Sequence, residues 1–234
     1  MNPWDFFDAI YCINLEKDAR KREEASLVFA RYGIPATFFK GVEDEISNKG
    51  CFASHKAIYN LSLEKGHSRV LIFEDDIIPA GGVTPERVKY CTDFMKDHPW
   101  DIFYFGAVPS IFKYSQEKSP VKSIYKIRGI CTHAYVLNRS ALEKLKDKEW
   151  EPGAPLDYVI RDDETLEKYA VYPTFFNQRT GYRLPKVLIT SGLRANEFYA
   201  YNIGIPAKYP LMLLAALVAI LILWKFLRRK RSTV

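Results

Sequence analysis

Paired cysteines are missing from this sequence of 234 residues. Its four cysteines, Cys12, Cys51, Cys91 and Cys131, lie about forty residues apart, with no C-x-x-C pair and no Cys/His cluster at zinc spacing. This distribution argues against a zinc finger and gives no reason to expect a disulfide framework. We expect ordinary reduced thiols in the core, with a disulfide only if the domain faces an oxidising lumen.

A strong positive charge is missing from most of the chain, although the formal net charge is +6. The last 26 residues, 209–234, hold no acid and five basic residues, Lys225, Arg228, Arg229, Lys230 and Arg231. Subtracting these five leaves the first 208 residues at +1. A nearly neutral domain is a poor electrostatic match for a phosphate backbone, so we expect no nucleic-acid partner.

An apolar stretch stands near the carboxyl terminus. The nineteen residues from Tyr209 to Leu227, YPLMLLAALVAILILWKFL, have Lys225 as their only charge and approach the ~20 residues that span a bilayer. We predict one transmembrane anchor at 209–227, a basic tail at 228–234, and a single domain at 1–208. The alternative is a buried core helix, but such a helix seldom ends in RRKR at a chain terminus.

The side of the membrane on which the domain lies is open at this point. The positive-inside rule places the basic tail in the cytoplasm and the domain across the membrane. The opening residues, however, carry Asp5 and Asp8 and lack the basic and apolar regions of a secretory signal peptide. We therefore prefer a tail-anchored protein whose domain faces the cytosol.

Strand and helix patterns alternate along the domain. We predict strands at 8–15, 36–42, 69–76, 101–108, 123–129 and 132–138. We predict helices at 18–32, 52–65 and 85–97, and a further helix with Ser140 at its N-cap. This alternation favours an α/β fold with a mostly parallel sheet flanked by helices. Ligands of such sheets bind at the carboxyl ends of the strands.

Three consecutive carboxylates, Glu74, Asp75 and Asp76, follow an apolar strand in the stretch VLIFEDDI. If the strand continues through them, its period of two sends Glu74 and Asp76 to one side and Asp75 to the other. Two carboxylates at a strand end suit Mg²⁺ or Mn²⁺, and such a cation usually keeps positions open for substrate phosphates. Solvated turn residues near Pro79 are the alternative interpretation.

A longer motif surrounds these acids. The segment GCFASHKAIYNLSLEKGHSRVLIFEDDI, residues 50–77, resembles the central signature of glycosyltransferase family 25, in which G-C-x-x-S-H precedes an apolar strand ending in E-D-D. This family groups bacterial lipooligosaccharide glycosyltransferases with procollagen galactosyltransferases. The matching positions are Gly50, Cys51, Ser54, His55, Glu74, Asp75 and Asp76.

The resemblance covers roughly residues 8 to 192 and leaves out the predicted anchor. Ile13-Asn14-Leu15 looks like the family's opening strand, although Lys21 stands where an arginine is expected. Later segments of the family are similar to AYVLNRSALEKL, Pro155-Leu156-Asp157 and VYPTFFNQ. The resemblance implies a GT-A-like, Rossmann-like fold, a nucleoside-diphosphate sugar donor and a divalent cation at the acidic motif, with Mn²⁺ preferred to Mg²⁺.

Residues of the motif become candidates for the site. We expect Asp76 to bind the cation together with Glu74 or Asp75. The histidine and serine of the motif are expected at the donor diphosphate, although a histidine that merely packs the second helix is the alternative. An asparagine at the end of the first strand is expected at the nucleotide, unless it bonds only to backbone. The donor-binding candidates are thus Asn14, Ser54 and His55.

A carboxylate remote from the metal is needed for a different task. Inverting transfer requires a base that takes the proton from the acceptor hydroxyl as this group attacks the sugar. We predict Asp157 as this base, with a helix N-cap as the alternative role. The acids at 162–164 compete with it for the assignment.

These residues favour a membrane-anchored glycosyltransferase. It would move a sugar, with galactose as one candidate, from a nucleoside-diphosphate sugar to a hydroxyl of a glycan, a lipid-linked glycan or a protein. The alternative is a catalytically silent module of the same fold, tethered to the membrane for binding or scaffolding. A metal-dependent phosphohydrolase or nuclease would need further acids from other strand ends, and the near-neutral charge argues against a nuclease.

Overall fold

The computed structural model describes residues 2–80, 82–109, 117–118 and 123–179. Its helices are α1 (Ala19–Tyr32), α2 (Ser47–Glu64), α3 (Pro85–Asp97), α4 (Arg139–Leu145) and α5 (Leu156–Asp162). Its strands are β1 (Ala9–Asn14), β2 (Thr37–Lys40), β3 (Arg69–Glu74), β4 (Ile77–Pro79), β5 (Ile102–Pro109), β6 (Glu117–Lys118), β7 (Ile124–Lys126), β8 (Gly129–Asn138), β9 (Lys168–Val171) and β10 (Phe176–Gln178). Within these ranges no helix combines the length and apolar character that crossing a membrane requires. The predicted anchor and basic tail lie outside the described residues.

Eight strands form one mixed sheet in the order β2-β1-β3-β8-β5-β9-β7-β6. β1 is parallel to β2 and β3, and β9 is parallel to β5, while β7 and β8 are antiparallel to their neighbours. Six of these eight strands therefore point the same way, and the predicted α/β sheet flanked by helices is confirmed. Because β8 runs in the opposite direction between β3 and β5, its first residues lie at the same edge as the ends of β1 and β3.

The strand β3 forms the centre of the core. Its residues Val70, Leu71, Ile72 and Phe73 are all 0% exposed, as predicted for a strand that is covered on both faces. Leu71 and Phe73 pack into the layer that contains α1 and α3, and the other two pack into the layer with α2, α4 and α5. Each fully buried side chain stabilises the fold by about 1.5–3 kcal/mol. The acids after β3 are therefore attached to a rigid element.

Local sequence signals mark the end of α1 and the start of α3 where the sequence predicts them. Gly33 follows α1 with a φ of 61°, the left-handed conformation that glycine adopts without a steric cost. Thr84 caps α3, since its side-chain oxygen accepts a hydrogen bond from the Arg87 backbone nitrogen at 3.3 Å, and Pro85 occupies the first helical position. The predicted bounds of α3 are confirmed.

Two predicted helix starts are wrong. Asn138, not Ser140, caps α4, because the Asn138 side-chain oxygen accepts a hydrogen bond from the Ala141 backbone nitrogen at 2.8 Å. The helix α2 begins at Ser47 and not at residue 52. Glycine weakens a helix in general, but here Gly50 packs so closely that an added Cβ would lie 2.7 Å from the Val42 carbonyl oxygen.

Candidate active site

A cleft of about 220 Å³ opens at the carboxyl edge of β1, β2 and β3, with α2 along its inner wall. Five of the seven predicted site residues line it, namely Ser54, His55, Glu74, Asp75 and Asp76. Of the other two, Asn14 contacts one of these acids, and Asp157 lies at the start of α5. The structure therefore brings the predicted metal ligands and most of the predicted donor-binding residues into one cleft.

The chain changes direction within the acidic triplet, residues 74–76. β3 ends at Glu74, and Asp75 and Asp76 form a turn instead of continuing the strand. The predicted division of sides holds even so, because Gln178 Nε2 donates to Glu74 Oε2 at 3.2 Å and to Asp76 Oδ2 at 3.0 Å. Gln178 reaches this position through the antiparallel pairing of β10 with β4. One amide group thus stands between two carboxylates and reduces their repulsion.

Asp75 faces the other way, toward β1 and α1. Its Oδ2 accepts a hydrogen bond from Asn14 Nδ2 at 2.7 Å, and its Oδ1 lies 3.5 Å from Lys21 Nζ. The same Asn14 nitrogen donates to the Asp18 backbone carbonyl at 3.2 Å. Asn14 therefore holds Asp75 in place. Lys21, at the position where the family resemblance expects an arginine, supplies a positive charge beside the triplet.

A buried chain of polar groups supports Glu74 from the inside. The hydroxyl oxygens of Tyr59 and Tyr135 are 2.6 Å apart, and the Tyr135 oxygen is 2.8 Å from His55 Nδ1. His55 Nε2 lies 3.5 Å from Glu74 Oε1 but makes no hydrogen bond to it or to any other described residue. Thr132 donates to the same carboxylate oxygen at 2.7 Å. His55 is thus placed behind the acids, on the inner wall.

Ser54 secures the loop that borders the cleft. Its hydroxyl donates to the Gly50 carbonyl at 2.7 Å and accepts from the Val42 backbone nitrogen at 2.8 Å. The G-C-x-x-S-H motif therefore has two parts. Gly50 and Ser54 dock α2 against the loop after β2, while Cys51 and His55 face the acids.

Burial and repulsion between like charges govern the ionisation of the triplet. Burial raises the pKa of Asp76 to about 7, and the charge of Glu74 adds to this rise. Burial also raises the pKa of Asp75, although Asn14 and Lys21 oppose it. Burial would raise the pKa of Glu74 as well, but the facing His55 ring and the Thr132 hydroxyl outweigh it, and that pKa lies below its ordinary value. Glu74 and Asp76 cannot both stay ionised at low cost unless a cation is near.

The donor set of the triplet fits a hard divalent cation. Asp76 Oδ1 is buried and has no hydrogen-bond partner among the described residues. Such an oxygen costs about 1–3 kcal/mol, and a cation bound to it would remove this cost. Carboxylate oxygens are the ligands that Mg²⁺ and Mn²⁺ prefer. Asp76 and Glu74 supply them from one side, whereas both oxygens of Asp75 engage Asn14 and Lys21.

Asp157 lies in the first turn of α5 and is half-buried. It does not cap the helix, because its Oδ2 instead accepts a hydrogen bond from the Cys131 backbone nitrogen at 3.0 Å. The next residue, Thr132, bonds to Glu74, so that consecutive residues of β8 connect the two carboxylates. The acids that compete with Asp157, at 162–164, each pair with a basic side chain.

Three residues of the site were not among the sequence-based candidates. Gln178 and Thr132 arrive from distant strands. Cys51 joins His55 and Glu74, since ligand atoms of the three lie within 4.8 Å of one another. None of the four cysteines forms a disulfide among the described residues, but only Cys12 and Cys91 are buried, whereas Cys51 and Cys131 are half-buried and not in the core as predicted. The sequence shows no Cys/His cluster at zinc spacing because the third member, Glu74, comes from another element. The usable signal was the spacing of four between Cys51 and His55, which places both on one face of a helix.

The sequence matches a known family. The family described as "Glycosyltransferase family 25 (LPS biosynthesis protein)" matches residues 45–160, a range that includes the acidic triplet and Asp157. A Drosophila melanogaster protein named "Glycosyltransferase 25 family member" is 26% identical over 193 residues, an alignment that covers 68% of this chain. The chain spans 30% of the length of that relative. The resemblance inferred from the motifs is confirmed.

Several solved structures are similar in fold. A197 from STIV superimposes with a TM-score of 0.49 at 11% identity, covering 74% of this chain and 85% of that one. A glycosyltransferase involved in the glycosylation of the major capsid of PBCV-1 gives a TM-score of 0.47 at 13% identity, covering 75% of this chain and 94% of that one. At these values the similarity says nothing about the activity of this chain.

Proposed function

We propose that this chain, whose residues 45–160 match glycosyltransferase family 25, is a membrane-anchored glycosyltransferase. It transfers a sugar from a nucleoside-diphosphate sugar to a hydroxyl of a glycan, a lipid-linked glycan or a protein, with galactose as the first sugar to test. The observation that carries the proposal is the pair Glu74 and Asp76, with the buried Asp76 Oδ1 left without a partner in the described part of the chain. Two neighbouring carboxylates without a cation destabilise the fold. The same two carboxylates are what the binding of a metal and a diphosphate requires.

Asp76 and Glu74 are the residues that would hold the cation, which we expect to be Mn²⁺, with Mg²⁺ as the alternative. When bound, the cation neutralises charge on the donor diphosphate and on the departing nucleoside diphosphate. Gln178 and Thr132 fix the two carboxylates through hydrogen bonds. Asp75 supports the pair from the β1 side. Little rearrangement is then needed when the ion binds.

Other polar groups of the cleft suit the donor. Lys21 is partly exposed beside Asp75, where its charge attracts a diphosphate. Asn14 acts through Asp75, because its amide nitrogen holds that carboxylate. Ser54 and His55 shape the wall from behind. The predicted donor-binding residues therefore act mainly by positioning the groups that touch the donor.

Asp157 is the proposed general base. It would take the proton of the acceptor hydroxyl while the oxygen bonds to the anomeric carbon and the nucleoside diphosphate leaves. The hydrogen bond from the Cys131 nitrogen holds Oδ2 and thereby orients the carboxylate. Asp157 bonds to Cys131 and Glu74 bonds to the next residue, Thr132, so that the base would lie beside the cation site and bind the acceptor instead of the ion.

The predicted anchor at 209–227 would hold the domain at a membrane, close to a lipid-linked acceptor. We prefer the cytosolic face. Protease treatment of sealed microsomes that carry the full chain tests this preference. Digestion of the domain without detergent is the expected result, and protection of the domain would reverse the orientation.

The test of the proposed function measures donor use by the full chain in detergent micelles. The chain is offered a panel of UDP- and GDP-sugars with Mn²⁺ or with EDTA, and both donor binding and nucleotide release are followed. We expect Mn²⁺-dependent release from at least one donor. Donor binding without nucleotide release would favour the catalytically silent binding module. If no donor binds in a metal-dependent way, the proposed function is wrong.

A further inference from the structure

A thiol, an imidazole and a carboxylate converge beside the acidic triplet. Cys51 and His55 lie four residues apart on one face of α2, and Glu74 faces them from the end of β3. A ligand atom of each residue lies within 4.8 Å of the other two. Sulfur and imidazole are not the ligands that Mg²⁺ or Mn²⁺ prefers, but they are typical of zinc sites.

His55 directs a nitrogen without a partner into this group. Its side chain is 0% exposed, and Nε2 has no hydrogen-bond partner in the ranges that the structure describes. The other nitrogen, Nδ1, pairs with the Tyr135 hydroxyl at 2.8 Å, which in turn pairs with Tyr59 at 2.6 Å. When Nδ1 carries the proton, it donates to Tyr135, and Tyr135 donates to Tyr59. Nε2 then presents a lone pair, as metal-binding histidines do when a neighbour holds their other nitrogen.

We propose that Cys51, His55 and Glu74 form a zinc site on the inner wall of the cleft. Tetrahedral zinc lies about 2.0–2.3 Å from its ligands, which separates neighbouring ligand atoms by about 3.3–3.8 Å. The 3.5 Å between His55 Nε2 and Glu74 Oε1 already fits this range. The Cys51 sulfur lies within 4.8 Å of both other ligand atoms, so that a shift of about 1 Å would complete the tetrahedral spacing. Since all three residues line the cleft, the fourth position is open to water or to a small ligand.

The local charge favours a divalent cation although it disfavours a free thiolate. Burial raises the pKa of the Cys51 thiol, and the charges of Glu74, Asp157 and Asp76 raise it further. The same negative potential attracts a divalent ion. On binding, zinc forms a bond to the sulfur and the thiol proton is released to solvent. Zinc binding should therefore release one proton from this residue.

Zinc at this site would oppose the cation of the proposed sugar transfer. Glu74 would be a ligand of both ions. Glu74 and Asp76 also lie close together, because both accept a hydrogen bond from the Gln178 amide nitrogen. Two divalent ions at such close range repel each other. This consequence rests on the proposed function, whereas zinc binding does not. We expect zinc to raise the Mn²⁺ concentration that supports half-maximal transfer, and we expect Cys51→Ser to remove this effect.

Cobalt(II) is the probe for the thiolate ligand, because it takes tetrahedral zinc sites and shows a sulfur-to-metal absorption in the near ultraviolet. Cobalt added to the full chain in detergent micelles should produce this absorption, and zinc should abolish it. Cys51→Ser should lose the absorption and bind zinc at least about tenfold more weakly. Cys131→Ser, the matched change at the other half-buried cysteine, should keep both properties. No absorption in the parent, or equal absorption in Cys51→Ser, would overturn the proposal.

Alkylation of the unchanged chain gives a second readout that does not depend on how a variant folds. Zinc should slow the reaction of Cys51 with iodoacetamide by at least about tenfold and leave Cys131 unaffected, as mapped by mass spectrometry. Equal rates with and without zinc would contradict the site. Neither readout needs a sugar nucleotide, so that zinc binding by a chain that uses no donor would remove only the proposed function. Transfer without zinc binding would remove only the zinc site.

Discussion

Two acidic triplets of the same composition, one Glu and two Asp, have opposite surroundings in this molecule. In the surface triplet, residues 162–164, each acid has its own cation, with Asp162 at 2.7 Å from Arg161, Asp163 at 2.9 Å from Lys148, and Glu164 beside Arg128. In the cleft triplet, residues 74–76, Lys21 lies 3.5 Å from Asp75, while Glu74 and Asp76 share one neutral amide. Each carboxylate of the surface triplet is paired with a Lys or Arg side chain. In the cleft triplet, only Asp75 has such a partner among the described residues.

The difference comes from the element that precedes each triplet. The surface triplet begins at the last residue of the short helix α5 and continues past it. Asp162 and Glu164 are exposed, so that water screens their charges, whereas the Asp163 side chain is 8% exposed and is neutralised by Lys148. The cleft triplet begins at Glu74, the last residue of β3, and the four buried residues of this strand bring the acids to the edge of the sheet. A fold that keeps poorly compensated carboxylates there accepts a loss of stability that a bound cation would relieve. This contrast agrees with the proposal that the cleft triplet binds a cation, whereas the surface triplet is expected to stabilise the fold.

The largest expected contrast between the triplets is in activity. Asp76→Asn keeps the shape of the side chain but removes its charge, and nucleotide release in Mn²⁺ should fall by at least about 100-fold because the departing diphosphate loses stabilisation. Asp162→Asn, the matched change in the surface triplet, should stay within about twofold of the parent. Initial rates at saturating donor measure both. Equal losses in the two variants would show that the two triplets do not differ in their role in transfer.

The next largest effect concerns the free energy of unfolding, and here we expect the larger loss in the surface triplet. Burial would raise the pKa of Asp163, but its bonds to Thr165 and Lys148 lower it to about 2. Asp163→Asn should therefore reduce the free energy of unfolding by between about 1 and 2 kcal/mol at neutral pH, allowing for solvent screening. Urea unfolding measures the change. An unchanged unfolding midpoint would show that this acid is not structural.

The pH dependence of this stabilisation follows from the direction of the shift. The folded state holds the Asp163 proton less tightly than the unfolded chain, whose carboxyl has the ordinary pKa of 3.8. The stabilisation is therefore present above pH 3.8 and is lost as the pH falls toward 2. The difference in stability between the parent and Asp163→Asn should shrink across this window. A constant difference would rule out the ion pair as its source.

A smaller effect tests whether the shared amide limits repulsion in the cleft triplet. Gln178→Met keeps the length of the side chain but removes the donor to Glu74 and Asp76. We expect a loss of about 0.5–1 kcal/mol without metal, and a smaller loss in saturating Mn²⁺ because the ion then neutralises the carboxylates. Thermal melting with and without Mn²⁺ measures both values. A loss that Mn²⁺ leaves unchanged would place the role of Gln178 in the packing of β10.

The smallest effect is expected at the exposed end of the surface triplet. Glu164 is 80% exposed where it pairs with Arg128. Glu164→Gln should change the free energy of unfolding by less than about 0.5 kcal/mol, because water and salt screen such pairs. Urea unfolding at low and high salt checks this value. A loss comparable to that of Asp163→Asn would show that exposure does not separate the members of this triplet.

Local signals made the scaffold of the cleft predictable. The apolar run of β3 predicted a strand that is buried on both faces, and Pro85 predicted the start of α3, which Thr84 caps in the structure. Each signal acts within a few residues. The start of α2 was missed because the close contact of Gly50 with the Val42 carbonyl joins two elements, and such a contact leaves no periodicity in the sequence.

The supports of the site were harder to foresee than the acids themselves. Thr132 and Gln178 bond to Glu74 from 58 and 104 residues away in the chain. Tyr135 reaches His55 across 80 residues. These contacts depend on the insertion of β8 beside β3 and on the pairing of β10 with β4. The order of elements along the chain does not specify either pairing.

From the residues alone follow the family, the place of the acids after a buried strand, and the separation of Asp75 from its two neighbours. Folding settles the rest, namely that the acids at 162–164 are neutralised, that one oxygen of Asp76 has no partner among the described residues, and that Cys51 meets His55 and Glu74. The physical reason is that hydrophobic period and turn chemistry act between near neighbours in sequence, whereas charge compensation and burial act through space. Whether a carboxylate stabilises the fold or is available to bind a cation therefore depends on the groups that pack against it.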